Sequence, residues 1–343
     1  MIHPITVADL RSAVGPLNVS SNEPRVTVCP GSASEIGQVL AIARAASVRV
    51  CTLRLAQGER GIVPPLVLSE VEAWGDAIFL DLSRMCNVLH LDETSLLVSV
   101  QTGITAAALN ALLQERGLRL PPLPPASLTR TVGALLSRPR PTEASPRSGR
   151  FVSACAGVVA FTHDGTEIGT KVAPRKAVGP DFMHVFVGTE GKIGVLTAAT
   201  LRIERRGETQ AQATFELPTA KAAMAAARAL LLHVQPRDMA VHGRALSIAL
   251  DGTTQLVAAQ SKFIAELVLK QNGGVVRHAP PPTERPPFER SFQIEELDDL
   301  VVDDRTLAVG WHRNGFAVYS HQPTPPAYPS PLWLELERQI NHG

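Results

Sequence analysis

Residues 179–201 read GPDFMHVFVGTEGKIGVLTAATL, and this run decides the fold prediction. Gly188, Gly191 and Gly194 lie close together, directly before residues 199–203, an apolar segment typical of a buried strand. Closely spaced glycines form tight turns against a strand, and they also expose backbone amides that hold the anionic part of a cofactor. Each of these glycines taken alone fits either role equally well. Their joint spacing and the segments around them must decide between the two.

The start of the chain predicts a β-α-β unit. Residues 26–29 read as a short apolar strand, and Ser32 with Glu35 offers a capping box for the helix that follows. Residues 48–55 and 77–82 then read as two buried strands. We expect residues from 1 to about 85 to form a small subdomain.

A larger mixed subdomain is predicted for residues 86–205. The chain reads DLSRMCNVLHLDETSLLVSVQTGITAAALNALLQERGLRLP over residues 81–121. Residues 96–100 form an apolar strand, and a helix begins at Thr105 and stops at Gly117. The subdomain ends with the glycine-rich run and its strand.

Residues 121–150 form a loop rich in proline, serine and arginine. One acid, Glu143, stands against five arginines: Arg130, Arg138, Arg140, Arg147 and Arg150. A segment of this composition is usually a solvated surface loop. The alternative is a loop that faces a bound anion, and the sequence leaves both interpretations open.

Residues 206–343 predict a second domain. Within it, residues 211–278 alternate as strand, helix, two strands split at Gly243, helix and strand, which is the ferredoxin-like β-α-β-β-α-β pattern. Further on, Asn314 and Gly315 separate two apolar runs, a strong signal for a β-hairpin. We expect a ferredoxin-like cap domain with a C-terminal hairpin and helix.

Three of these stretches resemble the FAD-binding domain of the vanillyl-alcohol oxidase and p-cresol methylhydroxylase superfamily (PCMH-type). Residues 81–121 resemble its strand-rich core, and residues 127–133, SLTRTVG, resemble its second flavin-contacting loop. Residues 179–201 match its glycine signature almost position by position. Flavin subunits of glycolate oxidase and related 2-hydroxy-acid dehydrogenases look nearest. The resemblance implies an α+β protein in which a two-subdomain FAD-binding fold precedes the ferredoxin-like cap.

The same resemblance implies that FAD lies between the two N-terminal subdomains and is held without a covalent bond. Backbone contacts are expected to dominate. The residues carried over as cofactor-binding are Gly58 from the first loop, Ser127, Thr131, Val132, Gly133 and Ala134 from the second loop, and Gly188, Glu190, Gly191, Gly194 and Val195 from the glycine run. Ala134 stands where the family has a second glycine.

The first loop departs from the family pattern. Residues 54–60 read RLAQGER, where the family has a run of glycines whose amides converge on the pyrophosphate. A residue other than glycine in a left-handed conformation costs about 1–2 kcal/mol, and a carboxylate at Glu59 about 5 Å from a phosphate adds about 3 kcal/mol of repulsion. The loop is therefore degenerate, and FAD binding is expected to be weak or lost.

Catalytic residues are not identifiable from the sequence. The related dehydrogenases use a cluster of histidines to take up the hydroxyl proton, whereas His233, His242, His278, His312 and His321 are dispersed along this chain. Two functions stay open. One is an FAD-dependent oxidoreductase that oxidises a small 2-hydroxy acid such as glycolate or lactate, with or without a partner electron-transfer subunit. The other is a catalytically silent flavoprotein-fold subunit that acts in binding or complex assembly.

The composition excludes several other classes. Lys and Arg number 33 against 32 Asp and Glu, a net charge of +1, which argues against a nucleic-acid partner. The four cysteines have no CxxC spacing, so no metal site is predicted. Residues 1–15 lack a secretory pattern, and the most apolar helical segment, residues 222–234, is too short to span a bilayer. We expect a cytoplasmic protein without membrane insertion.

Overall fold

The computed structural model describes residues 4–22, 25–52, 77–140, 143–172 and 182–270, together with four strand segments at 276–277, 288–293, 308–312 and 315–320. The first loop, residues 54–60, lies outside these ranges. In the segments beyond residue 270, only the course of the backbone is described.

The first lobe begins with a small sheet covered by two helices. Its elements are α1 (Pro4–Val14), β1 (Val19–Asn22), β2 (Arg25–Val28), α2 (Ala33–Ala45), β3 (Arg49–Cys51) and β4 (Ala77–Leu80). The strand order is β1-β2-β4-β3, and β4 runs parallel to both β2 and β3. Helix α2 begins as predicted, because Ser32 Oγ accepts a hydrogen bond from the Glu35 amide at 3.2 Å. The β-α-β unit predicted from the sequence is present.

An antiparallel sheet forms the larger part of the first lobe. Its strands are β5 (Val88–Asp92), β6 (Leu97–Gln101), β10 (Cys155–Thr162), β11 (Glu167–Gly169) and β12 (Gly194–Arg202), in the order β11-β10-β12-β6-β5. The connecting elements are α3 (Ala106–Gln114), β7 (Leu118–Arg119), α4 (Val132–Ser137), β8 (Ala144–Ser145), β9 (Gly149–Arg150), α5 (Met183–Phe186) and β13 (Glu204–Arg205). Buried aliphatic side chains from α3, α4 and the sheet make one continuous core. This core holds the predicted second loop and the glycine run in fixed positions.

The second lobe is a ferredoxin-like domain extended by three strands. Its elements are β14 (Thr209–Glu216), α6 (Ala220–Leu231), β15 (Asp238–His242), β16 (Ala245–Gly252), α7 (Thr254–Lys270), β17 (Val276–Arg277), β18 (Phe288–Gln293), β19 (Ala308–His312) and β20 (Gly315–Ser320). The sheet order is β17-β14-β16-β15-β19-β20-β18. The first four strands have the predicted ferredoxin-like order, and α6 and α7 share a buried core with them. The α+β fold class expected from the sequence is confirmed.

The C-terminal hairpin adds to the cap sheet. Strands β19 and β20 pair antiparallel, as the Asn-Gly signal predicted, and β19 also pairs with β15, with Ala240 opposite Gly310. A hairpin signal contains no information about the edge on which the hairpin docks. The sequence therefore predicted the hairpin and missed the seven-stranded sheet.

Gly103 lies at a close approach between two backbones, and we expect Gly103→Ala to destabilise the first lobe by about 1–3 kcal/mol. A Cβ at this position would overlap the Leu82 carbonyl oxygen and lie 2.8 Å from that of Met85. The Gly103 amide donates to the same Met85 oxygen at 2.9 Å, so the backbone cannot move away without losing this bond. Urea unfolding measures the change. Gly169→Ala is the control, because a Cβ at Gly169 has open space within 4 Å and should leave stability unchanged or slightly higher. Equal stability of both variants would contradict the expectation.

Candidate functional site

The glycine run leads into strand β12 and is hydrogen-bonded to the end of helix α4. The amides of Gly188 and Glu190 donate to the carbonyls of Leu136 and Ser137 at 2.9 and 3.0 Å. Gly188, Glu190 and Gly191 all have positive φ, at 82°, 55° and 77°. Positive φ is strained for a residue with a side chain, so Glu190 is held in place by its surroundings. The run therefore fixes a left-handed turn against α4.

Gly191 also brings this turn to the start of the predicted first loop. A Cβ on Gly191 would overlap Thr52 Oγ1, so only glycine permits the approach. Thr52 is the last residue described before the segment that contains Gly58. The structure thus places the glycine run beside the base of the first loop, while Gly58 itself lies outside the described residues.

The predicted second loop uses its polar groups inside the protein. Thr131 caps α4, with its Oγ1 accepting from the Ala134 amide at 3.2 Å. The amides of Val132 and Gly133 donate to the carbonyls of Ile104 and Thr102, both at 2.8 Å. These amides are therefore occupied by protein oxygens. The assignment of this loop to a cofactor stays a prediction.

Arg130 of the 121–150 loop is internal, which neither of the two sequence interpretations foresaw. Arg130 is buried and pairs with the buried carboxylate of Glu143. The Arg130 Nη2 atom also donates to the carbonyls of Ala134 and Arg138, at 2.7 and 2.8 Å. The same Glu143 accepts a hydrogen bond from Ser127 Oγ at 2.9 Å. Ser127, predicted to contact a cofactor, thus has a structural partner.

A buried ionic cluster connects the two lobes. Asp251, at the end of β16, pairs with Arg119 through one carboxylate oxygen and with Arg147 through the other. Glu204 accepts from Arg119 Nη2 at 2.9 Å and also binds Ser148 Oγ. The Asp251 side chain is fully buried. Burial raises the pKa of Asp251, but the hydrogen bond and charge of Arg119, with Arg147 beside it, outweigh this effect and bring the pKa below its ordinary value. We call these five residues the interlobe ionic cluster.

A pocket of about 420 Å³ lies between the lobes. One wall comes from α3 and the chain between β7 and α4, and the other comes from strands β14, β15 and β16 of the cap. The polar residues that line it are Asn110, Gln114, Arg119, Arg206, Gln210, Gln212, Arg237, Asp238 and Ser247. Its lining also includes Leu128, the neighbour of Ser127 in the predicted second loop. We call this space the interlobe pocket.

Histidine is absent from the lining of the interlobe pocket, as far as the described residues show. Among the described histidines, His163 contacts the glycine run directly. Its Nε2 is 3.1 Å from the Gly191 carbonyl and 3.2 Å from that of Lys192. His163 is therefore placed to support the glycine turn, and no catalytic base is assigned.

The sequence missed the interlobe ionic cluster and the interlobe pocket. Arg119 and Asp251 lie far apart in the chain, and no sequence pattern links them. The arginines and glutamines of the pocket come from elements of both lobes. Only the docking of the cap on the first lobe brings them together, so no local sequence signal identifies either feature.

Comparison with known proteins gives a family match for part of the first lobe. Residues 24–171 match the family described as FAD binding domain. A D-lactate dehydrogenase [cytochrome] of Saccharomyces cerevisiae, a mitochondrial protein, is 28% identical over 208 residues, which are 60% of this chain and 34% of that protein. The chain matches only about a third of the length of the curated relatives.

Solved structures extend the likeness to the cap. An alkyldihydroxyacetonephosphate synthase superposes with a TM-score of 0.73 at 15% identity, covering 99% of this chain and 79% of that one. Substrate-bound p-cresol methylhydroxylase gives 0.71 at 13% identity, with 93% and 82% covered. At this identity the likeness establishes the fold, which is the PCMH-type fold expected from the sequence. Within the described ranges, every helix is too short or too polar to cross a bilayer.

Proposed function

We propose that this chain, which carries an FAD binding domain at residues 24–171, is an FAD-dependent oxidoreductase that oxidises a small 2-hydroxy acid such as glycolate or lactate. The match to that domain is the observation that carries the proposal. The D-lactate dehydrogenase among its relatives supports the choice of substrate class. A cytoplasmic location and a partner subunit that carries electrons onward belong to the same proposal.

The geometry of the described residues fits the walls of such a cofactor site. Gly191 lies against Thr52, so the glycine run, the end of β3 and the end of α4 meet in one region. Arg138 Nε lies 3.8 Å from Glu190 Oε1 in the same region. When bound, FAD supplies the acceptor for a hydride from the substrate carbon. Residues 127–134 and 188–195 would flank it, and Gly58 would contribute from the first loop.

The alternative function is a catalytically silent subunit with this fold. It is favoured by the occupied amides of Val132, Gly133 and Ala134, since three donors of the second loop already bind protein oxygens. The sequence of the first loop favours it further, because leucine, alanine and glutamine precede Gly58 there. A silent subunit would then act through the surface that binds its partner.

An absorption spectrum of the purified protein separates the two functions. The redox proposal expects flavin bands in the visible spectrum and FAD released on denaturation, or bands that stay with the protein after incubation with FAD and removal of the unbound FAD. It also expects bleaching of these bands when D-lactate or glycolate is added without oxygen. Protein that retains no flavin bands after incubation with millimolar FAD and removal of the unbound FAD would refute the redox function and support the silent subunit.

A further inference from the structure

The interlobe pocket has the chemistry of an anion site. Its lining contains three arginines and one acid, Asp238, and among the described residues that line it none is aromatic. Ligand pockets of about 300–1,000 Å³ are ordinarily lined mainly by apolar and aromatic side chains. A phenol would lack the stacking partners it needs here. The apolar part of the lining is aliphatic, and the arginine and amide side chains among these residues favour a small, charged ligand.

Two of the three pocket arginines, Arg206 and Arg237, can use their positive charge to bind an anion. Arg119 is neutralised within the interlobe ionic cluster, where it binds both Asp251 and Glu204. In the described part of the chain, Arg206 and Arg237 form no ion pair with a carboxylate. The carboxylate of Asp238 accepts a hydrogen bond from the adjacent Met239 amide at 2.9 Å. The pocket therefore keeps an excess of positive charge.

The two arginines lie on elements whose backbones are fixed. The Arg206 amide donates to the Gly117 carbonyl at 2.9 Å, just after β13, and this bond anchors it to the first lobe. The Arg237 amide donates to the Ala249 carbonyl of β16 at 2.8 Å. Arg237 Nη1 also donates to Gln210 Oε1 at 3.2 Å, which restrains its side chain. The restrained guanidinium group of Arg237 loses less entropy when it binds an anion, whereas Arg206 is exposed and is fixed through its backbone.

We infer that the interlobe pocket binds a small carboxylate anion through Arg206 and Arg237. The planar guanidinium group matches a carboxylate in a bidentate pair. Gln114, Gln210 and Gln212 add amide groups that suit a neighbouring hydroxyl or carbonyl oxygen. The choice of a 2-hydroxy acid as the probe rests on the proposed function. The anion site itself rests on the lining of the pocket.

Isothermal titration of the full chain with D-lactate at low salt tests the inference, since screening weakens half-exposed charges. We expect the wild type to bind D-lactate. Arg206→Gln and Arg237→Gln should each weaken binding by about ten- to hundredfold, the loss typical of a charge-assisted contact. Arg237→Lys keeps the positive charge but loses the bidentate guanidinium group. Its affinity for D-lactate should therefore lie between those of the wild type and Arg237→Gln. Arg244→Gln is the matched control, because Arg244 is an exposed cap arginine that pairs with Glu216 outside the pocket.

Three further ligands and a flavin measurement complete the test. Propane-1,2-diol, which lacks the carboxylate, should not bind, and glycolate should bind like lactate. Inorganic phosphate should bind more weakly than lactate, and tighter binding of phosphate would overturn the carboxylate assignment. Equal affinity of the wild type and both glutamine variants, or no binding of lactate by folded wild type, would overturn the site.

Flavin content is measured in the same samples. Colourless protein with arginine-dependent lactate binding refutes only the redox function, and yellow, active protein with unaffected arginine variants refutes only the anion site.

Discussion

Replacing Asp251 with alanine should lower the free energy of unfolding by about 3–5 kcal/mol, the cost typical of breaking a buried ion pair. The variant leaves Arg147 without its carboxylate partner and leaves Arg119 with Glu204 alone. Because Arg119 is buried, solvent cannot replace the missing carboxylate fully. Urea unfolding at pH 7 measures the loss. The control is Glu93→Ala, which removes the exposed partner of Arg116 and should stay within about 1 kcal/mol of the wild type.

The stabilisation by the Asp251 carboxylate should be lost at low pH. The pKa of Asp251 is lowered in the folded protein, so its stabilisation is present in full above the pKa of the unfolded chain, about 3.9. The stabilisation is lost as the pH falls through the lower folded pKa. The stability difference between the wild type and Asp251→Asn should therefore be constant from pH 7 to about 5 and narrow below about pH 4. A difference that grows on acidification would show that the charged form of Asp251 is not the stabilising one.

Replacing both Gln57 and Glu59 with glycine should raise the affinity for FAD by about a hundredfold. Two glycines let the backbone approach the pyrophosphate, and removing the carboxylate removes about 3 kcal/mol of repulsion at about 5 Å and an effective dielectric near 20. This expectation comes from the sequence alone, because both residues lie outside the described ranges. Titrating FAD into the wild type and the variant at moderate salt measures the change. Glu167→Gly, on the exposed hairpin strand β11, is a control for a lost surface carboxylate.

Equal or weaker FAD binding by the folded double variant would show that Glu59 does not face the pyrophosphate. The degenerate loop would then not account for weak binding. A variant that gains affinity, with the control unchanged, would show that the loop retains the position of a cofactor loop.

The sequence predicts features that local signals determine. Ser32 caps α2 as expected, and α3 begins after Thr105, where the sequence predicted the start of a helix, because a hydroxyl followed by free amides is a local arrangement. The ferredoxin-like strand order follows from alternating strands and helices, which occur in order along the chain. Motif spacing was enough to identify the FAD binding domain, which is confirmed for residues 24–171.

The candidate site depends on contacts that are distant in sequence, and the sequence predicts it only in part. In the structure, Gly191 lies against Thr52, the last described residue before the first loop. The motifs did not show that amides of the second loop would bind Ile104 and Thr102. The interlobe pocket could not be predicted, because its two walls belong to separately patterned domains. The cofactor-binding residues carried over from the family stay a prediction.

The pairing of β15 with β19 also constrains how the chain is completed during synthesis. The first four strands of the cap emerge from the ribosome well before β19, so β15 is an open edge during that interval. An unpaired edge strand is a template for pairing with another chain. Because pairing of segments that are distant in sequence is slow, this edge is open to misassembly while translation continues. A nascent chain therefore depends on the β19–β20 hairpin to cover this edge before another chain pairs with it.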